Sequence, residues 1–90
     1  MVTVKLFANL RLAVGEKEVD LGNPRSVSDG LDELVDKYPD LSEQLFDEEG
    51  ELKSYLNVFI NGHNVGNKQG LQTPVEDGDT ISIFPPLGGG

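Results

Sequence analysis

The sequence predicts a single α+β domain in which a mixed sheet is covered on one face by one main helix. Three observations carry this. Apolar and polar residues alternate strictly near the start, in the middle and near the end of the chain, at Val2–Phe7, Leu56–Ile60 and Thr80–Phe84. One stretch alone, between Ser26 and Tyr38, has a full helical period. The length of 90 residues holds one core and no more. With 37% hydrophobic and 26% charged residues the composition is that of an ordinary globular protein.

The elements follow in order. In Val2–Phe7, Val2, Val4 and Leu6 share one phase and Thr3, Lys5 and Phe7 the other, the period of a half-buried strand. Its partner is "EKEVDLG", Glu16–Gly22. The link "ANLRLAVG" is longer than a two-residue turn, which predicts a loose hairpin. In "SVSDGLDELVDKYP", Ser26 and Asp29 have the spacing of a capping box, and Val27, Leu31, Leu34, Val35 and Tyr38 fall near one helical face. Pro39 ends the helix. Gly30 within it costs about 1 kcal/mol against alanine, so packing on the sheet must outweigh local propensity there.

"DLSEQLFDEEGELKSY" is acidic and turn-rich and is expected to form a loop with at most one helical turn around Ser42 to Phe46. "LNVFING" restores the alternation and ends in Asn61-Gly62, the strongest hairpin-turn signal in the chain, because both central positions of a type I′ turn need positive φ. A short strand at His63 to Val65 follows. Asp77-Gly78-Asp79 then turns the chain into the last strand, "TISIF". One helix covers one sheet face, which suits a sheet whose first and last strands lie side by side in parallel. That arrangement is the β-grasp, the fold of ubiquitin. A ferredoxin-like sandwich is the alternative, but it requires a second full helix after the third strand. The expected division is a β-grasp domain over 1–84 and a flexible Pro-Pro-Leu-Gly-Gly-Gly tail over 85–90.

Composition narrows the function. Cysteine is absent, so the chain has no disulfides, thiolate metal site or cysteine nucleophile. The single histidine, His63, follows a turn and cannot make a zinc site alone. No metal or catalytic residue is therefore assigned. A net charge of −9, with seven scattered basic residues, argues against nucleic acid. The acidity fits a basic protein partner, or it serves solubility alone. No stretch reaches the roughly 20 apolar residues needed to span a bilayer, and the N-terminal residues lack the features of a signal peptide. A cytoplasmic protein with no membrane partner is expected.

Strand parity and the C-terminal residues point to two functional features. If Val4, Leu6, Leu56, Val58, Ile60, Ile81 and Ile83 face the helix, then Lys5, Phe7, Asn57, Phe59, Ser82 and Phe84 face away from it. Phe7, Phe59 and Phe84 then form an apolar patch on the open sheet face, where contiguous apolar surface marks partner docking. A covering loop or a parity-switching bulge is the competing explanation. Beyond the last strand, Pro85 and Pro86 cannot donate ladder hydrogen bonds, and they send the chain off in an extended direction. Leu87 offers an apolar foothold. Gly88, Gly89 and Gly90 lack Cβ atoms and can pass through a channel too narrow for side chains, bringing the terminal carboxylate into another protein's active site.

These stretches resemble the family of the molybdopterin synthase small subunit, the thiamine-biosynthesis sulfur carrier and the small archaeal modifier proteins. The resemblance runs through "VKLFANLRLAVG", "SVSDGLDELVDKYP", "LNVFINGHNV" and, most specifically, "VEDGDTISIFPPLGGG". The longer middle segment is similar to the larger members, and Leu87 and Gly88 fill two variable positions, leaving Gly89 and Gly90 matched. The resemblance implies a carrier that is a substrate and not a catalyst. It binds no cofactor itself. A ubiquitin-activating-type (MoeB/ThiF-like) enzyme would use ATP and magnesium to adenylate the Gly90 carboxylate. Sulfur would then give a thiocarboxylate for molybdopterin or tRNA thiolation, with the molybdopterin synthase large subunit as a further partner. A lysine of a target protein would instead give an isopeptide bond. Because the sequence ends at the glycines, no protease is expected to be needed. The alternatives are a non-covalent β-grasp binding module with an incidental tail, and an enzyme, for which no nucleophile–base pair is evident.

Overall fold

Alternation in the first strand places three aliphatic side chains on one side of the sheet, and the rest of the fold is assembled against them. The computed structural model describes residues 1–66 and 69–85, with Gln69 described by its backbone only. Its strands are β1 (Val2–Leu6), β2 (Glu18–Leu21), β3 (Asn57–Ile60), β4 (His63–Gly66) and β5 (Thr80–Phe84). The helices are α1 (Ala8–Val14), α2 (Val27–Lys37) and the single turn α3 (Ser42–Leu45), with 3₁₀ turns at Pro39–Leu41 and Gln69–Gln72.

The sheet order is β2-β1-β5-β3-β4. β1 and β5 run parallel, with Val4 opposite Ile81 and Leu6 opposite Ile83. β1 and β2, β3 and β5, and β3 and β4 are antiparallel. This is the β-grasp, with the parallel first and last strands at its centre. The β3–β4 register shifts between Val58 and Phe59, but the β3–β5 register runs unbroken from Asn57–Phe84 to Ile60–Ile81. The irregularity therefore leaves the parity of the central strands intact.

The first bond of the capping box forms as read, and the second closes one residue before the cap, on Arg25 N. The Ser26 hydroxyl accepts a hydrogen bond from Asp29 N at 3.2 Å, and the Asp29 carboxylate accepts from Arg25 N at 3.3 Å. Val27, Leu31 and Leu34 point into the core, fully buried, while Val35 and Tyr38 pack at its margin. The glycine inside α2 has a packing reason: a Cβ on Gly30 would lie 3.1 Å from Ile81 Cδ1 and 3.5 Å from Leu21 Cδ1. The helix approaches the sheet most closely there. A Glu33 carboxylate oxygen accepts from Gly22 N at 2.7 Å and ties the helix to the end of β2.

Two stretches differ from the sequence expectation. "ANLRLAV" is helix α1, not a loose hairpin link. Seven residues cannot hold a helix in water unaided, so tertiary burial of Leu10, 1% exposed, supplies the stability. Gly15 at φ 83° closes the helix, its N–H reaching Arg11 O. The acidic loop is more ordered than its composition implies. Leu41, Leu45 and Leu52 are fully buried within it, each worth about 1.5–3 kcal/mol, and Phe46 and Leu52 form an isolated bridge. The 3₁₀ turn at Gln69–Gln72 has no counterpart in the sequence reading. No helix among the described residues is long and apolar enough to cross a membrane.

Because Gly30 has almost no space above it, Gly30→Leu is expected to destabilise the domain by about 1–3 kcal/mol. A lower urea midpoint at unchanged slope would register this; an unchanged midpoint would mean that α2 does not seat against Ile81.

Candidate functional site: an aromatic face at the end of the central strands

Parallel pairing puts the ends of β1 and β5 together, with Leu6 beside Ile83 on the buried face. The next residue of each strand is a phenylalanine directed to the other face. Phe7 and Phe84 stack with ring centroids 4.2 Å apart and planes 12° from parallel. Phe59 meets Phe84 edge-on at 5.1 Å and 79°. On the ladder Phe59 sits opposite Ser82 and Asn57 opposite Phe84, so the two rings are diagonal neighbours. The structure thus brings together all three phenylalanines singled out in the sequence. Each is half-buried, because the rings cover one another. Exposed Lys5 and Asn57 and half-exposed Ser82 share this face.

The entry of β5 into the sheet is fixed at its other end by a side-chain lock that the sequence reading missed. Asn61, at φ 50°, and Gly62, at φ 87°, form the type I′ turn of the β3–β4 hairpin. The Asn61 side chain then reaches across to the turn before β5. Its Nδ2 donates to Asp79 Oδ1 at 2.9 Å, and its Oδ1 accepts from Thr80 N at 2.9 Å. Asp79 Oδ2 also accepts from Glu76 N at 2.8 Å. Hydrogen bonds from the Asn61 amide, then from the Glu76 backbone, hold the Asp79 carboxyl below its ordinary pKa of 3.8. Gly78, at φ 92°, completes the turn and donates to Met1 O. The two turn signals, Asn-Gly and Asp-Gly-Asp, were visible separately in the sequence; their contact needed the β3–β5 pairing.

At the exit of β5 Pro85 is buried. Pro86, Leu87, Gly88, Gly89 and Gly90 lie outside the described residues. His63 is exposed at the start of β4. No group of three or more His, Asp or Glu side chains among the described residues could hold a metal ion.

Residues 4–90 match the ThiS family. The chain belongs to that family. Among its relatives, small archaeal modifier protein 3 of Haloferax volcanii is 37% identical over 89 residues, covering 97% of this chain and 96% of that one. The solution structure of small archaeal modifier protein 1 from Methanosarcina acetivorans superimposes with a TM-score of 0.83 at 45% identity, over 99% of this chain and 95% of that one. A chain of the Amycolatopsis orientalis BexX/CysO complex superimposes with a TM-score of 0.84 at 33% identity, over the full length of both. This ThiS-family protein is accordingly a ubiquitin-like protein of the sulfur-carrier and small-modifier kind, a non-catalytic class.

Two predictions come from this site. Phe84→Ser removes both ring contacts, each worth about 0.5–1.5 kcal/mol beyond area burial. The expected result is a loss of about 1–3 kcal/mol by chemical denaturation with amide dispersion retained; complete unfolding would place Phe84 in the core. For the lock, a depressed native pKa means stability that is present above 3.8 and disappears as pH falls through and below that value. The thermal advantage of wild type over Asp79→Asn, which imitates the protonated form, is expected to be full at neutral pH and to shrink below 3.8. An advantage independent of pH would mean that the Asp79 charge does not hold the turn.

Proposed function

We propose that this chain is a carrier whose Gly90 carboxylate is activated by an adenylating enzyme and then passed to sulfur or to a lysine. The supporting observation is the placement of the Phe7–Phe84 stack where β5 leaves the sheet. A partner seated on that face would sit next to Pro85, from which the sequence runs on to Gly89 and Gly90. The family match extending to residue 90 and a neighbour described as part of a BexX/CysO complex support the same reading.

The chemistry explains why a partner is required. A free carboxylate is a poor electrophile and its oxygen a poor leaving group. In the activating enzyme a Gly90 carboxylate oxygen attacks the α-phosphorus of magnesium-bound ATP and displaces pyrophosphate, giving an acyl adenylate. Attack at the Gly90 carbonyl carbon by hydrosulfide then expels AMP and, with loss of the sulfur-bound proton, leaves a thiocarboxylate. That product can feed molybdopterin formation with a synthase large subunit, or tRNA thiolation. Attack by a lysine amine, with loss of a proton and AMP, yields an isopeptide bond. Pro85, Pro86, Leu87 and Gly88 deliver the end of the chain, and Gly89 keeps the approach free of side chains.

Gly89→Val is expected to abolish ATP–pyrophosphate exchange with the cognate activating enzyme, because a β-branched residue cannot pass where only backbone fits. The melting temperature should stay at the wild-type value, since the described core is complete by Pro85. Phe59→Ser should weaken the complex by about 1 kcal/mol or more. Exchange by Gly89→Val at the wild-type rate would leave a non-covalent binding module as the better description.

A further inference from the structure

Beside the aromatic face lies a cavity of about 250 Å³ lined by Lys5, Leu6, Phe7, Arg11, Lys17 and Glu18. Its charge is opposite to that of the molecule. Three of the chain's seven basic residues line it against one of its sixteen acidic residues. Helix α1 brings Arg11 in, and the hairpin return into β2 brings Lys17. All three cations are exposed. The one ion pair among them, Lys5 Nζ to Glu18 at 4.0 Å, joins side chains that are 46% and 51% exposed and is worth little. Phe7 belongs to both surfaces, lining the cavity while stacking on Phe84.

We infer that this pocket receives acidic side chains of the activating enzyme's docking surface, and so orients the carrier on it. The inference rests on the carrier reading above. Guanidinium and ammonium groups around a partly apolar concavity match a carboxylate in geometry and charge. A polyanion such as nucleic acid does not fit, because beyond this pocket it would meet a surface dominated by carboxylates within a screening length of about 8 Å. A carboxylate confined to the pocket meets only the local cations. Aromatic rings supply area and affinity without direction, whereas a charge pair beside them fixes register and rejects partners lacking the acid.

The test is ATP–pyrophosphate exchange with the cognate activating enzyme, titrating full-length carrier. Arg11→Glu and Lys17→Glu are each expected to raise the KM for the carrier about tenfold with kcat nearly unchanged, and to flatten its dependence on salt. Lys37→Glu, at the end of α2, makes the same charge change elsewhere and should leave KM within about twofold. If Arg11→Glu unfolds α1, Lys17→Glu decides alone. Exchange by wild type with KM unmoved in Lys17→Glu overturns the pocket assignment and leaves the carrier reading standing. An equal effect from Lys37→Glu also overturns it, by tracing the effect to net charge. Self-association of wild type that Lys17→Glu abolishes would assign the pocket to a second copy of this chain. No exchange by wild type would overturn both readings.

Discussion

The parallel pairing of β1 with β5 is the constraint on which the other features depend. Parallel neighbours cannot be joined by a tight turn, so the chain between them must leave the sheet and return. Here that excursion carries α2 across one face, and no helix of the described residues covers the other. The same pairing sets which residues share a row. With Leu6 opposite Ile83, the phenylalanine after each must meet the other on the face away from α2, and a slip of one residue would exchange the two sets. The core and the candidate docking surface are consequences of one register.

That register is held at the opposite end of β5 from the aromatic rings. Asn61 and Asp79 bind two turns to each other, and the Asn61 carboxamide takes the N–H of Thr80, the first residue of β5. The lock is exposed and makes no contribution to the apolar core. Its role is geometric, because it fixes where β5 begins and, at the other end of that five-residue strand, where Phe84 and Pro85 emerge. Stability and surface are thus separated along one strand: Ile81 and Ile83 anchor it from below, the turn lock sets its start, and Phe84 ends it on the open face.

The parts of the fold legible in the sequence are those where local chemistry and tertiary role agree. Alternation in β1, β3 and β5 predicted the buried and open faces correctly, because strands covered on one side must alternate. Ser26 and Asp29 marked the start of α2, and Asn61-Gly62 the β3–β4 hairpin, because cap and turn preferences are local. Helix α1 was missed because seven residues with only Leu10 fully buried show too little of a helical period to be told from a link. The core leucines at 41, 45 and 52 were hidden for a related reason: acidic neighbours dominate the composition of that segment, while burial depends on which few side chains turn inward. The aromatic site was legible because it follows from strand parity. The basic pocket was not, because Arg11 reaches it only once α1 is folded.

The pocket bears on how carriers of this kind are told apart. A glycine end carries no side chain, so it cannot by itself distinguish one chain from another in its passage to an active site. Discrimination must come from the folded surface, and apolar area is a weak discriminator because it rewards any complementary shape. Charge is stricter, since an unpaired ion in a closing interface loses its hydration without compensation. On a chain with a net charge of −9, a local cluster of cations is also distinctive: in the proposed docking, a partner's acidic group would meet Lys5, Arg11 and Lys17 together at this pocket. Since Phe7 joins the cluster to the ring that stacks on Phe84, a partner bound there in the proposed docking would lie over the end of β5.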